Sequence, residues 1–344
     1  MSVPLDNRNI WNTNLSTYYY VKRSVNLLVT PLFPLIFYCV FKKSPKNFGS
    51  LKFFLHFHVV CISLQWLYNC LIIDAFQFVP SPFVLIMGLI PRINPTFLYI
   101  GNYCFTSSTL GSCLTLFCNR LFKVMNLYKS KKSWWQWILE ILVYSGVFGF
   151  AVSVVPSMAS GIPEDQENAK LAYTAITPPR FYPDTIMSPN VIIFCDPEKS
   201  CNSKTIKFNL IHISVVTLTI IISAKLAIWA LQGKMKSRNE SEKTKKMHKS
   251  FNDRSTFQVL IQFLFSTIPF TIVNCLLYFN IVIPEVSYFS DLMAELMPLA
   301  CVLTLFVFYE PYQHFLLVKL GVRHENSKLV STTAALEKGR RGLG

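Results

Sequence analysis

The stretch SSTLGSCLTLFCNRLFKVMNLYKSKK, residues 107–132, carries no charge until Arg120, after which Lys123, Lys129, Lys131 and Lys132 follow. A guanidinium offers five donors in a rigid fork that suits capping carbonyls or stacking on a partner helix, whereas lysine is a mobile point charge. Arg120 is therefore either the first of several charges at the edge of a bilayer or a docking group in its own right. A second set of polar groups, Asp74, Asn102, Tyr103, Asn274 and Glu295, punctuates four separate apolar runs. A few convergent polar groups in an apolar, aromatic cleft are what a small-ligand site requires. Asn102 and Glu295 are the two expected to contact the ligand. Catalysis finds no support: GxxxxGK[ST], HExxH and GxSxG are all absent. His56 and His58 would point about 200° apart on a helix and cannot share a metal. They read as interfacial residues. No cysteines form a CxxC pair, so neither metal nor cofactor is implied.

The elements that must position these residues are membrane helices. The chain of 344 residues is 52% hydrophobic and 15% aromatic, with only 15% charged residues, against about 25% in an average soluble protein. Seven segments, 19–41, 51–78, 97–119, 134–158, 207–231, 255–280 and 289–310, approach the roughly 20 apolar residues that span a bilayer. The expected class is an all-α, seven-transmembrane helix bundle. Pro31 and Pro34 are tolerated in a spanning helix, and Pro269 is expected to kink the sixth. Ser107, Ser108, Thr109, Gly111 and Ser112 give the third helix a small face that lets neighbouring backbones approach.

The net charge of +15 is spread over alternate loops: most Lys and Arg lie in 42–52, 120–133, 232–254 and the tail after 311. That pattern opposes nucleic-acid binding, which gathers basic residues on one face. By the positive-inside rule those segments are cytoplasmic and the N-terminus is extracellular. The organisation expected is an outer N-terminus (1–18), a seven-helix domain (19–320) with a long outer loop 159–206 and a basic inner loop 232–254, and a cytoplasmic tail (321–344). The N-terminus lacks the basic flank and apolar core of a cleaved signal, so the first span is expected to direct insertion. Asn14 opens the sequon Asn14-Leu15-Ser16 on the outer side; Asn239-Glu240-Ser241 matches equally well in an inner loop. Cys195 and Cys201 bracket DPEKS in the outer loop, a spacing that allows a small disulfide-closed loop.

Asn119-Arg120 closing helix 3, Pro269 within STFQVLIQFLFSTIPF (255–270), Pro80 and Gly88 after helix 2, and Pro311-Tyr312 in YEPYQHF (309–315) together resemble a G-protein-coupled receptor. More narrowly, the chain resembles the nematode Srh-type chemoreceptors of the Str group, from about residue 20 to 320. The resemblance implies a small or odorant-like external ligand, a heterotrimeric G protein as partner, and the plasma membrane of sensory-neuron cilia. It places coupling at Asn119, Arg120, Pro311 and Tyr312, with Pro269 as a pivot. Cys118 stands where the family has an acidic residue, so an intrahelical carboxylate lock on Arg120 is absent and raised ligand-free activity is expected. Gln313 stands where the family has Arg. The alternative class is a multi-pass channel or transporter, but the sequence shows no internal repeat of the kind those folds use.

Overall fold

Each apolar run becomes a long helix. The computed structural model describes residues 11, 15–44, 50–79, 81–88, 93–125, 134–195, 204–236, 256–279, 281–319 and 321. In chain order the elements begin with α1 (Ser16–Lys43), α2 (Ser50–Ile73), β1 (Ala75–Phe78), β2 (Phe83–Ile86) and α3 (Pro95–Met125). Next come α4 (Trp134–Ala159), α5 (Gln166–Ile176), β3 (Val191–Ile193) and α6 (Lys204–Lys236). The chain closes with α7 (Thr256–Phe279), α8 (Pro284–Phe308) and the short α9 (Glu310–Lys319). Among the described residues, α1, α2, α4, α6, α7 and α8 are long and apolar enough to cross a membrane. The seventh long helix, α3, falls short in apolarity but not in length: 31 residues reach about 46 Å. It packs extensively against α2, α4 and α6.

That central position explains why α3 can be polar. Ser107, Thr109, Ser112 and Thr115 are all buried, and the Ser112 and Thr115 hydroxyls donate to the carbonyls of Thr109 and Ser112 at 2.7 and 2.9 Å. Lipid offers no hydrophobic drive between helices, so close packing of small residues has to supply the association. Gly111 shows how tight it is: a Cβ there would lie 2.7 Å from the Phe148 ring on α4. His58 joins the same seam. It is buried rather than interfacial, with Nδ1 2.8 Å from the Ser112 hydroxyl, because its side of α2 faces α3.

Proline bends are braced locally. At the Thr30–Pro31 turn of α1, the Thr30 hydroxyl donates to the Asn26 carbonyl at 2.7 Å and accepts from Trp66 Nε1 at 3.1 Å. In α7 a π-helical turn, Phe263–Thr267, immediately precedes Ile268–Pro269. The wider turn absorbs the clash that a proline ring makes with the carbonyl four residues earlier. Helix α8 begins at Pro284, ahead of the expected 289, with proline pre-organising its first turn. Asp291 and Glu295 therefore sit in its second and third turns. Pro311 and Tyr312 do not close the seventh span; it ends at Phe308, and they open α9 after a break at Tyr309.

The helical bundle carries one addition, a short sheet at one end. Residues 75–78, expected as the last turn of α2, form β1 of a three-stranded antiparallel sheet in the order β1-β2-β3. Helix α2 stops because Asp74 adopts φ +40°, ψ +59°, a left-handed conformation that Asp tolerates better than most residues. Beyond it Phe76 and Phe78 are buried while Ala75 and Gln77 are less so, the period-two pattern of a strand. Phe78 pairs with Phe83 across the hairpin and Phe83 with Ile193 of β3. Gly88 returns the chain under α2, where a Cβ would fall 1.7 Å from the Ile72 carbonyl oxygen; no larger residue fits that approach.

The described part of the long outer segment, residues 159–195, folds over this sheet as a lid. Asp165 caps α5, accepting from the Asn168 amide at 3.0 Å. Gln166 then serves as a surrogate strand for β3: its Nε2 donates to the Ile193 carbonyl at 3.0 Å, and its Oε1 accepts the Ile193 amide at 2.7 Å. Lys170 donates to the Ser188 carbonyl at 2.8 Å, and burial pushes its ammonium below the ordinary lysine range while Glu167 opposes that shift. Replacing Gln166 by Ala would strip the β3 edge of both partners at once. Each unsatisfied backbone group costs about 1–3 kcal/mol, so Gln166→Ala should leave the helices intact yet speed amide exchange at Ile193 by at least tenfold. Unchanged exchange there would remove Gln166 from this role.

Candidate functional site

Lys22 lies in the second turn of α1 and is 4% exposed. Its Nζ stands 2.8 Å from Glu295 Oε1, 3.0 Å from Asp291 Oδ2 and 3.3 Å from Asp74 Oδ1, and donates to the Ala75 carbonyl at 3.2 Å. Arg23, half exposed, donates through Nε to Asp74 Oδ2 at 2.8 Å and through Nη2 to the Met87 carbonyl at 3.0 Å. The Tyr18 hydroxyl donates to Asp291. Asp291 and Glu295 share a helix face because they are four residues apart, and the left-handed cap at Asp74 turns its carboxylate toward α1. A buried ammonium is tolerated only when its charge and its donors are met; here three carboxylates and a carbonyl meet them. The cluster binds α1, the end of α2 and α8 into one unit.

Beneath the sheet, at this end of the bundle, lies a cavity of roughly 730 Å³. Helices α2, α3, α4, α6, α7 and α8 form its walls and the lid closes it with Phe194 and the start of α5. Of the residues singled out in the sequence, Asn102, Tyr103, Asn274 and Glu295 line the cavity. Asp74 does not. It is 2% exposed and held behind the wall by Lys22 and Arg23. Tyr103 meets the Tyr99 hydroxyl at 3.1 Å, and Tyr99 stacks on Phe194 of the lid at 5.7 Å. Asn274 Nδ2 donates to the Phe270 carbonyl at 2.8 Å. Phe265, Ser266 and Pro269 also line the cavity, so its wall includes part of the π-turn and the proline that follows it. The cavity therefore borders the irregular turn of α7.

The opposite end is closed around Arg120. Its guanidinium is 4% exposed, lies over the Phe117 ring at 5.4 Å and donates through Nη2 to the Tyr309 hydroxyl at 2.7 Å. Tyr309 stacks on Tyr312 at 5.4 Å, and the fully buried Tyr312 places its hydroxyl 2.6 Å from Ser44 Oγ. Asn119 Nδ2 donates to the Tyr144 hydroxyl at 3.1 Å. Pro311, half-buried, sets the first turn of α9 that carries Tyr312 into place. Cys118 offers no carboxylate, and a phenol from the break after α8 holds the guanidinium in this arrangement.

The profile of the family described as serpentine type 7TM GPCR chemoreceptor Srh matches residues 14–322. The chain belongs to that family. No curated protein matches it. As a member of the Srh family, it is a multi-pass membrane protein of the chemoreceptor type.

Several residues of this Srh chain escape a reading of the sequence. Lys22 and Arg23 look like the basic flank of the first span, and nothing nearby signals an ion cluster. Three acidic residues in apolar runs without local cations were the available clue, since buried carboxylates require a partner. Tyr309 is one aromatic among many. Gln166 sits in a loop whose pairing with β3 is visible only in three dimensions. Cys195 is disulfide-bonded and the eight other described cysteines are free thiols; Cys201, Asn14 and Pro80 lie outside the described residues.

Proposed function

We propose that the chain is a plasma-membrane chemosensory receptor of sensory cilia, N-terminus outside, which binds a small or odorant-like molecule in the cavity and signals through a heterotrimeric G protein. The observation that carries this reading is the joint placement of cavity and closure. The cavity opens beneath the sheet, next to the α7 bend, while the Arg120–Tyr309 contact shuts the basic end where a cytoplasmic partner would dock. Ligand binds better to an arrangement in which α7 swings about Pro269, and the population shifts toward it. Swinging α7 and α8 apart from α3 frees Arg120 from Tyr309 and presents the guanidinium with Asn119 to the G protein.

The orientation rests on the basic loops and their positive-inside bias. It places the sheet and lid outside, in the oxidising compartment where disulfides persist. Cys201 is the proposed partner of Cys195. Labelling intact, unreduced cells with a membrane-impermeant maleimide should then leave both cysteines unmodified, and modification after mild reduction should appear at both together. Labelling of either one without reductant would refute the pairing.

The functional test is a ligand screen in cells co-expressing a promiscuous G protein. Asn102→Ala and Glu295→Ala should each move the dose–response midpoint at least tenfold at matched surface level. Midpoints unchanged in both variants would show that the cavity is not the ligand site.

A further inference from the structure

Resting on the receptor reading above, we infer that the cavity is built for a small organic cation, a protonated amine. The chain has 33 Lys and Arg against 18 Asp and Glu, yet the cavity lining reverses that balance. Among the described residues it contains four carboxylates, Glu164, Asp165, Asp291 and Glu295, and no lysine or arginine. Lys22 and Arg23 reach the wall from α1 and meet three carboxylates: Asp74, which lies behind the wall, and Asp291 and Glu295, which also line the cavity. The cluster carries one more negative charge than positive, and the exposed Glu164 and Asp165 at the lid, the latter also capping α5, add two more.

A second observation is independent of charge. Asn69 and Ser290 line the same cavity at 9% and 8% exposure, and neither Asn69 Oδ1 nor Ser290 Oγ has a hydrogen-bond partner. Buried polar atoms normally find partners, and each exception calls for a reason. Ser290 directly precedes Asp291, and Asn69 stands just over one helical turn ahead of Asp74. An alkylammonium brings three donors and no acceptor, which complements a carboxylate and two idle acceptors. The aromatic rings of Tyr99, Tyr103, Phe265 and Phe270 line the remainder and suit both the carbon skeleton and the cation. A carboxylic acid would meet repulsion from Glu295 and Asp291 with no lysine or arginine in the lining to answer it. A neutral alcohol would use the acceptors and leave the surplus charge unanswered.

The test uses purified full-length receptor in lipid nanodiscs with 2-phenylethylamine and hexylamine as probes. Each amine is compared with the alcohol and the carboxylate of the same skeleton, by saturable binding at pH 7. At least one amine should bind tenfold or more tightly than its alcohol, and neither carboxylate should bind. Glu295→Gln should weaken amine binding at least tenfold and leave the alcohol unaffected. Since Glu295 also holds Lys22, Ser290→Ala, which leaves the ion cluster intact, gives a second reading and should weaken the amine about threefold. An alcohol or carboxylate that binds as tightly as its amine overturns the inference, as does failure of both amines to bind. Should the alcohol bind and drive nucleotide exchange on a G protein, the receptor reading would stand while the cation preference fell.

Discussion

Lys22→Met should strip most of the folded receptor from the membrane. The substitution removes the ammonium that Glu295, Asp291 and Asp74 approach at 2.8, 3.0 and 3.3 Å and leaves Arg23 alone against three carboxylates. Breaking a buried ion pair by deleting one partner costs about 3–5 kcal/mol, a large share of the 5–15 kcal/mol typical of a folded protein. The lowered thermal midpoint and the loss of surface protein should appear together. Lys22→Arg keeps the charge but spreads it over a planar fork, which cannot reproduce a tetrahedral ammonium among four oxygens, and an intermediate loss is expected. The double variant Lys22→Met, Glu295→Met removes donor and acceptor together and should recover part of the loss, because replacing both partners is far less costly than orphaning one. A single Lys22→Met receptor that unfolds at the wild-type temperature would show that the cluster does not hold α1 to α8.

The second large effect is at the other end. Arg120→Lys preserves a positive charge at the bilayer edge, so a purely topological role predicts full signalling. If the fork itself docks the G protein, the variant should lose at least tenfold in ligand-evoked nucleotide exchange with ligand affinity unchanged. Tyr309→Phe acts in the opposite direction. A hydrogen bond to a charged group contributes about 1.5–3 kcal/mol, so losing the 2.7 Å contact should shift the closed-to-open ratio by roughly tenfold to a hundredfold and raise ligand-free exchange. Adding Cys118→Glu to that variant restores the acidic residue that the family carries two positions before Arg120 and should lower the ligand-free signal again. Wild-type output from both Arg120→Lys and Tyr309→Phe would reduce Arg120 to a marker of the membrane edge.

The seven helices were legible because each is a long apolar run and because a bilayer admits few alternatives to helix. Even α3, diluted by serines and threonines, was readable, since a small polar face fits a helix surrounded by others. The sheet was not. Its β1 is only four residues long, continues an apolar run without a break in composition, and needs β3, which arrives after two more spans. The ion cluster is non-local in the same way: Lys22 and Asp291 are 269 positions apart, and Arg23 and Asp74 are 51 apart. Depth along the helices was enough to gather Asn102, Tyr103, Asn274 and Glu295 at one cavity. It could not tell that Asp74, at the same depth, turns toward α1 through a left-handed cap. Pro269 marks from its chemistry a point where the regular helical ladder is interrupted, while the π-turn before it has no signature in residue type.

In the proposed mechanism, occupation of the cavity is coupled to release of Arg120 at the far end of the bundle. The most direct measurement is nucleotide exchange on a heterotrimeric G protein by the purified receptor in nanodiscs, with and without a saturating cavity ligand. It should be run beside Ser107→Phe, which fills part of the cavity from the α3 wall and is admitted only when its thermal midpoint matches wild type. Ligand should accelerate exchange at least tenfold in the wild-type receptor, and Ser107→Phe should abolish the response to ligand while still supporting basal exchange. Ligand-evoked ion current without any exchange, or an undiminished response from the filled cavity, would contradict that coupling.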